Sequence, residues 1–374
     1  TKSLKSYGTF DLCLHGGRAP PWLFSRMVRL AGAIAEAIVR ERGEEYFLYN
    51  ISDPLWFQSL SNVLGYDWDS SGSTTVTTGA IREALENMDL GIRVLGGKGK
   101  ASRRVPEALQ ELVKVPGYDN VDVDSLIRAS YMAAKVDNAV LQDGHDIYHH
   151  VIFVTKQGKW AIVQQGMDER LATARRYHWL GTNVTDFVVE PHTGVVGEKV
   201  LNYVIDLTSR ASEGARRVCV DLVCEKIETI KRFISSIYKS EYKSLREWID
   251  GSEIPRYAVL NQRVVNWTAL KEAYDVKPRD FEKFVEIRGI GPSTLRALSM
   301  VAEIIFGEKV SHSDPIKFSF AFGGKDGVPY PVNRRRMEEV SRILEDAIDK
   351  SKIGDRERLD AIKRLRILSE GYTL

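Results

Sequence analysis

Apolar residues recur at helical spacing from Leu23 to Arg42, at Leu23, Met27, Leu30, Ala31, Ile34 and Ile38. Ser52-Asp53-Pro54 then offers a capping side chain and a first-turn proline, so a second helix is predicted to run through Leu64. The period changes at Ile92-Arg93-Val94-Leu95, a short buried strand that runs into the glycine-rich Gly96-Gly97-Lys98-Gly99-Lys100. Ser125 to Leu141 is again helical. Tyr148–Thr155 and Trp160–Gln164 alternate as strands around a turn at Lys156-Gln157-Gly158-Lys159, a β-hairpin pattern.

Beyond Pro191 the alternation disappears. Val218 to Tyr238 reads as one long helix with Val220, Val223, Ile227, Ile230, Ile234 and Ile237 on one face. Helical spacing continues to the end of the chain except in the glycine-rich stretch Phe318–Pro331. These patterns predict an α+β protein, with a mixed α/β half carrying a small sheet (1–195) and a mostly helical half (196–374). The boundary falls between Pro191 and Gly214.

One corner of the helical half carries a chemical signal. Asp280 caps a short amphipathic helix that ends at Ile287, and Arg288-Gly289-Ile290-Gly291 turns into a second helix opened by Pro292. That helix passes through Leu295, Leu298, Val301, Ala302 and Ile305 to a glycine cap at Gly307. Glycines allow close backbone approach, and the helix start presents N–H groups with the positive end of its dipole, a combination that suits a phosphate. Residues 280–307 resemble the helix-hairpin-helix of base-excision glycosylases and other DNA enzymes. The resemblance assigns Arg288, Gly289, Ile290, Gly291, Ser293 and Thr294 to double-stranded DNA. Arg18 and Lys325, outside this element, are expected as further DNA contacts. Ser293 stands where those glycosylases often carry lysine. His312-Ser313-Asp314 resembles their aspartate segment, although Asp314 equally caps the segment that follows through Pro315.

Composition bounds the rest. The 374 residues suffice for two or three units with ordinary cores. Basic and acidic residues nearly balance (53 against 51, formal charge +2), so a nucleic-acid face has to be local. Cys13, Cys219 and Cys224 are too few for a disulfide framework, and Cys219 and Cys224 are expected to be buried on a helix. That usage suits a reducing cytoplasm, here in association with the nucleoid, and no apolar run nears the roughly 18 residues that span a bilayer. No zinc spacing, Walker loop or dinucleotide fingerprint occurs, so neither metal nor cofactor is expected.

A wider set of segments resembles the family catalogued as domain of unknown function 763. It comprises Leu14-His15-Gly16-Gly17-Arg18-Ala19-Pro20-Pro21-Trp22, Ser52-Asp53-Pro54-Leu55-Trp56-Phe57-Gln58, Gly96-Gly97-Lys98-Gly99-Lys100, Ala133-Ala134-Lys135-Val136-Asp137-Asn138, Leu141-Gln142-Asp143-Gly144, Lys159 to Met167 and Phe322 to Gly327. The resemblance implies DNA repair, since an archaeal branch is associated with lyase activity at abasic (AP) sites.

An AP lyase needs a neutral amine, and at a pKa of about 10.4 only roughly one lysine in 2,500 is neutral at pH 7. Lys135, amid Ala133, Ala134 and Val136, is tuned by desolvation; Lys98 and Lys100 are tuned by each other's charge. Lys156 and Lys159 bracket a hairpin turn, where lysines are ordinarily just exposed, and Lys325 in Gly323-Gly324-Lys325-Asp326-Gly327 is a fourth candidate. Asp137, Asp143, His149, His150 and Gln164 are the candidates for moving protons, alongside Asp314, and the two histidines point to opposite faces of their strand. Trp22, Trp56, Phe57, Trp68, Trp160, Tyr177 and Trp179 are expected mostly in the core, with one of them available to stack into the gap of a missing base. Two other functions remain open: a metal-dependent nuclease using Asp53, Asp137 or Asp143 with Lys135 or Lys159, and a non-catalytic DNA-binding scaffold using the hairpin and the mixed-charge C-terminal helices (Arg334-Arg335-Arg336, Lys363-Arg364).

Overall fold

The computed structural model describes residues 20–65, 72–197, 200–239, 265–316, 318–319 and 334–371. Its first four helices are α1 (Pro21–Arg42), α2 (Glu44–Ile51), α3 (Pro54–Leu64) and α4 (Gly72–Glu86). Asp53 caps α3 as its spacing predicts, its Oδ1 accepting from the backbone N–H of Leu55 and Trp56. The strands β1 (Ile92–Lys98), β3 (Asp146–Thr155), β4 (Trp160–Asp168), β5 (Thr173–Leu180), β6 (Gly194–Gly197) and β8 (Phe318–Ser319) form one sheet in the order β1-β3-β4-β5-β6-β8. All neighbours are antiparallel except β6 and β8. A two-stranded ribbon joins β2 (Leu141–Gln142) to β7 (Ile205–Asp206).

Helices cover the sheet on both sides. Val94, Val151, Phe153, Ala161, Val163 and Leu180 belong to a core with α1–α4 and the last two helices, α13 (Arg334–Lys350) and α14 (Asp355–Gly371). Ile152, Val154, Ile162, Tyr177 and Trp179 belong to a second core. It is closed by α6 (Val105–Leu112), α7 (Val123–Lys135), α8 (Glu213–Val223), α9 (Ile227–Lys239), α10 (Trp267–Val276), α11 (Phe281–Glu286) and α12 (Pro292–Ile304). A short α5 (Lys100–Arg103) follows β1. The result is an α/β/α layering, with the sheet in the N-terminal half and helices dominating the C-terminal half.

Each core draws on both sides of the boundary expected near residue 195: Met337, Val340, Leu344 and Leu365 pack with Met27 and Trp56, and Leu295 and Val301 with Val136 and Ile152. Polar contacts tie the last helices down as well. Arg336 pairs with Asp53, Arg26 with Asp360, and Arg364 Nε donates to the Val63 carbonyl.

Three sequence expectations change. The long helix predicted over Val218–Tyr238 breaks between Val223 and Ile227, where the N–H groups of Cys224 and Glu225 bond three residues back and redirect the chain. Beyond the break Ile230 and Ile234 are fully buried, and at it Cys224 is exposed while Cys219 stays buried. The helix predicted over Ser125–Leu141 stops at Lys135 and continues as one π-helical turn, Val136–Val140. Finally, the glycine-rich run after Leu95 is not all loop, since β1 extends through Gly96 and Gly97 to Lys98.

Because Leu344 is fully buried in the α1–α4 core, Leu344→Ala is expected to cost about 2–5 kcal/mol. The loss should move the whole urea transition, followed by the fluorescence of buried tryptophans and by circular dichroism alike. A shift confined to one signal would show α13 to be dispensable to that core.

Candidate functional site

The corner between α11 and α12 starts with the Asp280 cap, whose Oδ1 accepts from Lys283 N. Gly289 lies at φ +91°, and a Cβ there would meet Asn266 Nδ2 at 2.9 Å and Ala269 Cβ at 3.1 Å. Only glycine satisfies both demands. Gly291, by contrast, caps α12 with no side-chain partner, and a Cβ on it would meet open space. Arg288, Gly289 and Pro292 are exposed and Ser293 half-buried, so the start of α12 opens to solvent. Ile290 and Thr294 point the other way. Ile290 is a fully buried anchor and the Thr294 hydroxyl accepts from Asn266 N, so neither side chain is offered to a ligand.

Lys135, the last residue of α7, reaches this corner. Its Nζ donates to the Ile287 carbonyl at 3.2 Å and to Tyr131 Oη at 3.2 Å, and Tyr131 Oη donates onward to the Glu286 carbonyl. Burial pushes the Lys135 pKa down to about 8. About a tenth of the amine is then neutral at pH 7, some hundreds of times the fraction for a solvated lysine. A neutral amine has two N–H bonds. With both directed at these acceptors, its lone pair faces the remaining open side. Burial also raises the Tyr131 phenol, which keeps it a donor at neutral pH. Tyr131 is half exposed and was not singled out from the sequence; its position one helical turn before Lys135 was the available signal.

The corner is held to α7 by Arg128, which bonds Glu282 and Glu286 of α11. Gln142 of β2 holds the start of α12: its Nε2 donates to the Pro292 carbonyl at 2.9 Å, and its Oε1 accepts from Arg296.

The proposed proton-moving residues are elsewhere. Residues two apart on a helix point roughly 200° away from each other, and Asp137 accordingly faces the sheet. It accepts there from Gln164, Trp179 Nε1 and His192 Nε2. Gln164 also bonds His150 Nδ1 at 2.7 Å, and His150 Nε2 lies 2.8 Å from Ser130 Oγ. The strand alternation places His150 in this network and turns His149 to the opposite face, against Thr78 of α4. His149, expected beside Asp137, is therefore separated from it by the sheet.

Asp143 and Asp314 share the buried Arg175, and Asp143 also accepts from Tyr177 Oη at 2.7 Å. Asp314 receives the N–H of Leu201 and of Ile316, the capping role open to it beside Pro315. Lys98 and Lys100 are exposed, Lys98 lying over the Tyr148 ring. Arg18 and Lys325 lie outside the described residues. His192, Arg175 and Tyr177 complete buried networks that no local pattern announced, because these partners are 32 to 139 positions away.

These segments are also those that a family model recognises. A family described as protein of unknown function, DUF763, matches residues 8–332. The chain belongs to the DUF763 family. No curated protein and no solved structure matches it. Within this DUF763 chain the match spans both cores, the corner and Lys135, and it ends before α13.

The Arg175 cluster yields a pH prediction. Burial alone would raise the Asp143 carboxyl, but Arg175 and His145 outweigh it and hold it below the ordinary carboxylate range. A depressed carboxylate stabilises the fold above about pH 4 and loses that contribution as pH falls through its folded value. Arg175→Met leaves two buried carboxylates without their cation and is expected to cost about 3–5 kcal/mol at pH 7. Without Arg175, burial drives the Asp143 carboxyl upward instead, so the deficit should shrink as pH drops toward 4.5 in urea titrations. An equal deficit at both pH values would mean that charge is not what Arg175 contributes.

Proposed function

We propose that this protein is an AP lyase that grips the DNA backbone at the α11–α12 corner, acting as a helix-hairpin-helix, and attacks the damaged sugar with Lys135. The observation that carries the reading is the contact of Lys135 Nζ with the Ile287 carbonyl. It sets a desolvated amine against the corner whose exposed N–H groups suit a phosphate. An abasic sugar attached to a phosphate on the corner lies within reach of that amine.

In the chemistry proposed, the Lys135 lone pair adds to C1′ of the ring-opened deoxyribose, and loss of water gives a protonated imine. Removal of a C2′ proton then drives out the 3′ phosphate, breaking the strand, and hydrolysis frees the lysine. Lys135 is favoured over Lys98 and Lys100 because burial disfavours its charged form and so lowers its pKa, whereas both of the others are exposed. The substrate is double-stranded DNA containing AP sites. The three donors already on Asp137 argue against its use as a metal ligand in a nuclease, and Arg336 and Arg364 spend their charge on docking α13 and α14 rather than on a scaffold face.

The test is borohydride trapping on an AP-site duplex with EDTA present. Wild-type protein should form a covalent adduct, Lys135→Ala should abolish it, and the Lys98→Ala/Lys100→Ala double variant should retain it. Trapping by Lys135→Ala would remove Lys135 from the role. Cleavage that appears only with Mg²⁺ or Mn²⁺, or binding with no cleavage at all, would replace the lyase by a nuclease or a scaffold. The pH dependence has a definite sign. Because the attacking form is the neutral amine, the trapping rate should rise about tenfold per unit below pH 8 and level off above it.

A second variant isolates the corner. Asp is a good capping residue, so Gly291→Asp should preserve or raise stability. Its charge at the phosphate position should nevertheless weaken binding to any duplex by about tenfold or more. Unchanged affinity would remove the corner from the interface.

A further inference from the structure

The opposite face of the sheet carries a polar row that the lyase reading does not use. Lys98, His149, Gln165 and Arg176 are successive register partners across β1, β3, β4 and β5. Lys98 ends β1 and is exposed, while the other three are buried, His149 against Thr78 of α4 and Arg176 against Gln58 of α3. Arg176 bonds Gln58 Oε1 and His178 Nε2 and lies 4.5 Å from the Phe57 ring centroid.

His149 is the informative member. Its Nε2 lies 2.9 Å from Thr78 Oγ1, and the Thr78 hydroxyl donates to the Thr74 carbonyl at 2.7 Å. A hydroxyl has a single proton, so Thr78 Oγ1 accepts from His149, which puts the imidazole proton on Nε2. Nδ1 is then a bare acceptor, and it is buried with no hydrogen-bond partner. Leaving such an atom unmatched is destabilising, because its hydration is lost and nothing replaces it. Burial, then His150, and then Lys98 and Arg82, lower the His149 pKa to about 3, so the acceptor persists at neutral pH. Arg82 is exposed and is held at this end of β1 by its bond to the Gly96 carbonyl.

The vacant atom asks for an O–H or N–H donor, and the two exposed cations beside it ask for an anion. Opposed residues on neighbouring strands stand only about 5 Å apart, so one small molecule can meet both demands. We propose that the end of β1, with Lys98, Arg82 and His149, is a binding site for a phosphorylated sugar. The phosphate lies against Lys98 and Arg82, and a sugar hydroxyl donates to His149 Nδ1. The site is distinct from Lys135, whose partners lie across the sheet.

The experiment titrates the full chain, with ¹⁵N-labelled histidine, with ribose 5-phosphate. Saturable binding that moves the His149 Nδ1 resonance supports the site. Lys98→Ala alters an exposed residue and should weaken binding about tenfold or more; His149→Gln should weaken it as well. Lys135→Ala should bind like wild type, which separates this result from the fate of the lyase reading. No binding, binding without a change at Nδ1, or undiminished affinity in Lys98→Ala would overturn the proposal. Inorganic phosphate binding as tightly as ribose 5-phosphate would overturn the hydroxyl contact.

Discussion

Helices cover both faces of the sheet, and that constraint governs most of what the interior does. A strand with one wet face can send its polar residues to water; β3, β4 and β5 cannot. A polar side chain buried on them has only the protein interior in which to find a partner. His150 and Gln164 meet Asp137 and Ser130 on one face, and His149 meets Thr78 on the other. Arg175 and Arg176, neighbours in the chain, serve opposite faces and different partners. The adjacent pairs His149-His150, Gln164-Gln165 and Arg175-Arg176 thus lay one polar row on each side of a single apolar sheet.

The same alternation sorts structural chemistry from available chemistry. Asp137, Asp143, Gln164 and Asp314 are consumed by neighbours that satisfy them, and they brace the sheet against α7 and against the segment that enters β8. Lys135 lies at the end of its helix, just before the π-helical turn, and is aimed away from the sheet. It is buried enough to lose part of its hydration, yet near enough to the surface to keep an open side. Its acceptors are a backbone carbonyl and a phenol rather than a carboxylate, so nothing restores the charge that burial disfavours.

Much of the fold was legible in the chain because it rests on local rules. The Asp53 and Asp280 caps, the Pro54 and Pro292 helix starts, the β3–β4 hairpin and the glycine corner are each specified within a few residues. The break after Val223 was not, since the apolar spacing runs through it and only the packing of Ile230 and Ile234 demands the bend. Tyr131 and His192 were missed for a similar reason. One gains its role from the corner some 155 positions on, the other from Asp137 across 55 positions.

The sequence by itself determined the element types, the corner, the opposed orientation of His149 and His150 and the membership in the DUF763 family, because periodicity, capping and glycine geometry act over one or two turns of chain. The tertiary structure alone decided that residues 334–371 complete the N-terminal core. It also decided that Asp314 serves Arg175, and that Lys135 rather than Lys98 or Lys100 is desolvated. Burial is a property of what packs on a residue from elsewhere in the chain, and no local pattern contains it.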